Sequence, residues 1–171
     1  YLDDLDSDQF EFREETARKY IEFFRRCLTH TVGKYAGKPF EPLPWQQFIL
    51  WNLYGFHMAD GRRRFNYAYI AVARKQGKTT LMAGMALAAM ILDNEMSAEI
   101  YSAATKRDQS RIVFDEARRM VLSSALLKKY LAAGRHEITS KKTFGRFTYL
   151  SSDANTLDGT NPHLAIIDEY H

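Results

Sequence analysis

The sequence predicts an α/β fold, with a mostly parallel sheet sandwiched between helices. Three observations carry that prediction. Strand-like and helix-like segments alternate through the middle of the chain, the pattern of crossover connections. Residues 79–92 are apolar on almost every side, so their helix belongs between layers rather than on a surface. The closing run HLAIID is continuously apolar, as strands covered on both faces are.

Taken in order, the first element is an amphipathic helix over residues 8–31, with Ala17, Ile21, Phe24 and Leu28 at helical spacing. Gly33, Gly37, Pro39 and Pro42 mark a loop. Pro44 suits the first turn of a second helix, PWQQFILWNLYGF, ended by Gly55 or Gly61. FNYAYIAVA, residues 65–73, is rich in aromatic and β-branched residues and reads as a strand. After the buried helix come a strand in AEIYSAA, a helix in KRDQSRIVFDEARRMVLSS and a short helix around residues 125–132. HEIT and RFTYLSS read as strands on either side of a basic turn at Lys141 and Lys142, and HLAIID closes the chain.

The 171 residues, 46% apolar and 26% charged, suffice for one sizeable core and disfavour disorder. A net charge of +3 permits a polyanionic partner without establishing one. Cys27 stands alone, which excludes an internal disulfide, and it reads as a small buried apolar residue. The longest apolar stretch, residues 81–92, is interrupted by Gly84 and falls short of the roughly 20 residues of a membrane span. The acidic first eight residues are unlike a signal peptide. The expectation is a soluble, cytoplasmic protein. A start on Tyr1 and a stop just after an apolar strand further suggest a fragment of a longer chain.

Chemistry concentrates in ARKQGKTT. A strand, a turn ending in Gly77-Lys78-Thr79 and a helix opening at the lysine form a phosphate cradle: backbone N–H groups and the helix dipole favour negative charge at one spot. Lys78 would hold the β and γ phosphates and the Thr79 hydroxyl would ligate Mg²⁺. Arg74, Lys75, Gln76 and Thr80 complete the expected nucleotide-binding set. The usual pattern begins with glycine five positions before Gly77, where this chain has Val72, so the loop is a deviant one.

The apolar strand before Asp168 and Glu169 supplies the second half. It delivers two acids to the carboxyl end of a parallel strand, where ligands of such sheets bind. Asp168 would join the Mg²⁺ shell and Glu169 would act as general base. Together the motifs predict a P-loop NTPase of the type with an added catalytic glutamate (ASCE), truncated after its Walker B strand, with ATP and Mg²⁺ as ligands.

With VARKQGKTT and LDGTNPHLAIIDEYH both in view, the sequence resembles the large terminase subunit of tailed bacteriophages, in particular the HK97-like branch; LPWQQFILWNLYGF ahead of the loop fits as well. The resemblance covers residues 43–171, which it identifies as the first portion of an ATPase domain, and leaves residues 1–42 as a helical lead-in. It implies a motor that hydrolyses ATP to thread double-stranded DNA into a procapsid, and a nuclease further along the full protein. It also implies as partners a small terminase subunit, the portal protein and other copies in a ring, in the host cytoplasm without a membrane. Arg74 would sense or stabilise the γ phosphate, and Gln46 would read the adenine edge beside Trp45, with Gln47 as the alternative; Trp45 serves equally well as a core anchor. Catalysis would rest on Glu169, Lys78 and Arg74.

Asp158 departs from the family, many of whose members carry an arginine just before the second acidic motif for the neighbouring subunit's ATP. Arg135, Lys141, Lys142 and Arg146 are the substitutes on offer, each also readable as surface charge. Strands that flank the phosphate-loop strand follow the second acidic motif in this class, so the sheet is expected to show a gap or an exposed edge. Arg62–Arg64, Lys106–Arg107, Arg118–Arg119 and Lys128–Lys129 are basic clusters, each more simply a solvated face than a DNA track. A helicase-like translocase and a non-catalytic, ATP-gated assembly module stand as alternatives to the packaging motor.

Overall fold

The computed structural model describes residues 5, 9–104, 107–150 and 161–168. They fall into two compact units, one drawn from residues 1–26 and 40–76, the other from residues 27–39 and 77–171.

The first unit is built from β1 (Phe10–Phe12), α1 (Glu14–Cys27), α2 (Pro44–Gly55) and β2 (Phe56–Met58). Helix α1 is shorter than expected, because its N-terminal flank is spent on β1, which pairs antiparallel with β2. Acidic Glu14 and Glu15 open the helix and basic Arg25 and Arg26 close it, as the dipole favours. Its apolar stripe is buried at Ala17, Tyr20, Ile21 and Phe24. Tyr20 stacks on Tyr54 of α2 at 3.6 Å between ring centroids. Gly55 lets β1 approach: a Cβ there would lie 2.2 Å from Cε2 of Phe12. That ring is already wedged between Trp51 and Phe56, at 5.2 and 4.9 Å.

The arginine triplet serves this unit's architecture. Arg62 pairs with Asp60 at 2.7 Å, and Arg63 lies 4.9 Å over the Tyr54 ring and donates to the Tyr20 hydroxyl. Arg64 lies 3.8 Å over Phe10.

Residues 65–73, expected as a strand, form none; Tyr67 and Tyr69 stand 94% and 83% exposed. Composition alone does not make a strand, since its N–H and C=O groups require a partner ladder. Among the described residues no strand pairs with this segment.

The second unit carries α3 (Lys78–Leu92), β3 (Glu99–Ala104), α4 (Arg107–Ser123), α5 (Leu127–Tyr130), β4 (Leu131–Ala133), β5 (Glu137–Ser140), β6 (Arg146–Tyr149) and β7 (Pro162–Asp168). The sheet order is β4-β5-β6-β3-β7. Strand β3 is parallel to both β6 and β7, whereas β4–β5 and β5–β6 are antiparallel. The expected α/β sheet is present, its described strands parallel around β3 and antiparallel through the β4–β6 meander. The reason is connection length: β4, β5 and β6 are joined by turns too short for a crossover, which forces antiparallel neighbours. Part of the helix expected at residues 125–132 is this β4. Among the described residues β7 ends the strand order, and its Ile167 is 54% exposed.

Helix α3 is buried nearly all round, with Leu81, Ala83, Ala86, Leu87 and Ala88 at 0% exposure. It packs on α4 and against β7. Helix α4 buries Val113, Phe114, Ala117, Met120 and Val121, and Phe114 meets Phe147 of β6 edge-on at 5.6 Å. Residues 27–39 dock on the same helix, where Thr31 donates to buried Glu116. No helix among the described residues is long and apolar enough to cross a membrane.

Candidate functional site

The buried helix α3 begins where the Gly-Lys-Thr motif predicts. Gly77 is its N-cap, at φ 83° and ψ 20°. Glycine adopts this left-handed conformation without the Cβ clash that other residues meet. Two residues earlier Lys75 also sits at positive φ, 64°, a strained choice for a residue with a side chain. The turn thus reverses sharply before the helix, and Arg74, Lys75, Gln76 and Gly77 are all exposed. Lys78, Thr79 and Thr80 form the half-buried first turn. No side chain caps the helix, so its first N–H groups, which lack intrahelical acceptors, favour an anion.

The ammonium of Lys78 lies 2.7 Å from Oδ1 of Asp168. Ninety residues separate them in sequence, 168 minus 78; the fold brings them together because α3 packs against β7. Asp168 ends that strand and pairs in register with Ala104, the end of β3, so the contact lies at the carboxyl ends of parallel strands. The opposite ends are tied too. Nε2 of His163, near the start of β7, lies 2.6 Å from Oδ2 of Asp93, the C-cap of α3. Helix and strand are thereby pinned head to tail. Sequence reasoning passed over Asp93 and His163, whose pairing across seventy residues leaves no local pattern to read.

The Asp168 side chain is only 10% exposed, and Lys78 approaches its Oδ1 off the axis of an aligned hydrogen bond. A buried carboxylate oxygen with unused acceptor capacity is costly unless a cation serves it. Lys78 serves it through charge, and the same oxygen suits a hard divalent ion. Asp168 and the Thr79 hydroxyl are both hard oxygen donors, the ligand type that Mg²⁺ takes.

Of the remaining expected residues, Trp45, Gln46 and Gln47 fall in the first unit. Gln46 is 1% exposed and its Oε1 accepts the Leu43 N–H at 2.9 Å, closing the first turn of α2. A two-point grip on adenine by Gln46 would break that bond. Gln47 donates to the Pro42 carbonyl at 2.7 Å, and Trp45 is half-buried. Glu169 and Asp158 lie outside the described residues. Of the substitutes for a trans-acting cation, Arg146 is paired with Glu99 at 2.6 Å. Lys141 and Lys142 donate to the Lys128 carbonyl and to Asn94, and Arg135 is exposed.

Comparison with known proteins places these features in context. Residues 44–171 match the family model described as the ATPase domain of the terminase large subunit. The large terminase subunit of Enterobacteria phage HK97 is 32% identical over 158 residues, which are 88% of this chain and 30% of that protein. That of Lactococcus phage p2 is 27% identical over 175 residues, 96% of this chain and 32% of that protein. Among solved structures, the crystal structure of the HK97 large terminase aligns with a TM-score of 0.75 at 27% identity, covering 90% of this chain and 31% of that one. The chain therefore spans about a third of the length of the relatives it matches.

Proposed function

This chain belongs to the ATPase-domain family of terminase large subunits, and from that premise we propose that it is the ATP-hydrolysing part of a motor that drives double-stranded DNA into a procapsid. The observation that supports the reading best is the Lys78–Asp168 contact, 2.7 Å at the carboxyl edge of the sheet. Neither residue type predicts that meeting from local sequence, and a phosphate loop facing an acidic strand end requires it.

In the proposed mechanism Lys78 and Asp168 satisfy each other until nucleotide arrives. Lys78 would then turn to the β and γ phosphates, leaving Asp168 and Thr79 as the residues that would hold Mg²⁺. The metal supplies neutralisation of phosphate charge. The α3 N-terminus and the exposed turn of Arg74, Lys75, Gln76 and Gly77 surround the phosphates, and Thr80 supports the first helical turn. Arg74 offers an exposed charge to the γ phosphate, and Glu169 takes the proton of the attacking water. Double-stranded DNA, a small terminase subunit, a portal-bearing procapsid and further copies in a ring are the partners of this reading.

The test is ATP turnover by the intact protein with DNA present. Lys78→Ala is expected to abolish turnover and binding together. Turnover near the unsubstituted level in that variant overturns the proposal.

A further inference from the structure

The basic clusters separate cleanly once their contacts are known. Arg62, Arg63 and Arg64 are taken up by Asp60 and by aromatic rings. Arg119 pairs with Glu116, which leaves Arg118, bonded to the Gly134 carbonyl, as a single cation rather than a cluster. Lys128–Lys129 and Lys141–Lys142 behave differently, because the fold merges these two clusters into one. Nζ of Lys141 donates to the Lys128 carbonyl at 2.6 Å, and its backbone N–H donates to the Tyr130 carbonyl at 2.8 Å. All four lysines are exposed, and among the described residues none of their ammonium groups meets a carboxylate.

The platform is rigid. The turn after β5 is locked by Thr143 Oγ1 to Ser140 Oγ at 2.8 Å and by the Ser140 N–H to the Gly145 carbonyl at 2.8 Å. It holds Phe144 at φ 58° and 73% exposed, an unfavourable state for a bulky aromatic. Tyr130 stands 47% exposed on the adjoining helix. Exposed lysines that meet no carboxylate are the composition of surfaces that take a phosphate backbone.

Its position is also set. Glu99 of β3 pairs in register with Arg146, directly after the turn, while Ala104 pairs with Asp168 at the other end. Five residue steps of strand, roughly 17 Å, separate the patch from the phosphate site. Helix α3 spans the same interval: it starts at Lys78, and Asn94, just past its end, accepts from Lys142 at 3.0 Å.

We propose that Lys128, Lys129, Lys141 and Lys142 form a second anion site, which grips the phosphate backbone of nucleic acid without reading bases. This rests on the DNA-motor reading for its biological sense, but its test does not use ATP. Duplex DNA of mixed sequence is titrated into the nucleotide-free intact protein at several salt concentrations, and anisotropy is read. A double variant, Lys128→Gln with Lys141→Gln, is expected to bind roughly tenfold more weakly at 0.1 M salt, with the slope of log K against log salt shallower by about 2. Affinity for two unrelated duplexes should fall equally. Lys34→Gln with Lys38→Gln, equal in charge change and remote in sequence, should leave binding intact. Unchanged affinity and slope in the Lys128/Lys141 variant, with unfolding as in the parent, overturns the proposal and points to an acidic protein partner instead. Equal losses in the Lys34/Lys38 control also overturn it, by showing that only net charge matters. Failure of Lys78→Ala to affect turnover leaves this result unaltered, so the two readings fail separately.

Discussion

Replacing Lys78 by methionine keeps the side-chain stem but removes the charge that faces Asp168. Two unit charges 2.7 Å apart attract by about 1.5 kcal/mol in a water-like medium and by about 6 kcal/mol at an effective dielectric of 20. Lys78 retains 33% side-chain exposure, so the lower end applies, and desolvation of Asp168 subtracts further. A coupling of about 1 kcal/mol remains. The asymmetry is more telling than the mean. Lys78→Met strands a buried carboxylate, whereas Asp168→Asn leaves a lysine free to reach water. The double variant Lys78→Met with Asp168→Asn removes both charges, and it is expected to be more stable than Lys78→Met alone. Urea unfolding of the four proteins in a double-mutant cycle measures this directly. A coupling below about 0.5 kcal/mol, within the additivity seen for independent sites, refutes the reasoning.

Other outcomes follow from the same geometry. Glu169→Gln should keep nucleotide affinity while slowing turnover by about 10²–10⁴-fold, the usual contribution of a general base; loss of affinity in parallel, by calorimetry, would assign it to binding. Gly55→Ala forces a methyl group into the Phe12 ring and should cost about 1–3 kcal/mol by denaturant melt, with an effect under about 0.5 kcal/mol contradicting the packing described. The Tyr101 hydroxyl, and after it the Arg146 guanidinium, hold the Glu99 carboxyl below the ordinary glutamate range. With its folded-state value depressed, Glu99 contributes stability that is complete above the unfolded glutamate pKa of about 4.3 and is lost as pH falls through the folded value. Carbon-detected NMR of Tyr101→Phe should show Glu99 titrating at higher pH than in the parent.

Much of the second unit was legible because its signals are local and redundant. Buried α3 announced itself by apolarity on almost every face, α4 by the helix-like run KRDQSRIVFDEARRMVLSS, and β7 by a continuous apolar run. What failed depended on partners. Strands β1 and β2 are three residues each, too short for any period, and exist because Gly55 admits Phe12. Residues 65–73 had strand composition but no ladder among the described residues. Strand β4 lay hidden in a helical-looking run because three residues of LAA fit either state. At the site, Lys78 and Asp168 were readable from the motif around each. Gln46 illustrates the limit: its spacing in α2 gave no sign that its amide oxygen closes its own helix.

The central claim is tested most directly by the structure of the intact protein with Mg²⁺ and a non-hydrolysable ATP analogue. The account predicts that Lys78 leaves Asp168 for the terminal phosphates, that the phosphates sit against the first turn of α3, and that the metal lies between Thr79 and Asp168. Nucleotide bound elsewhere, with the 2.7 Å contact of Lys78 and Asp168 unchanged, would contradict it.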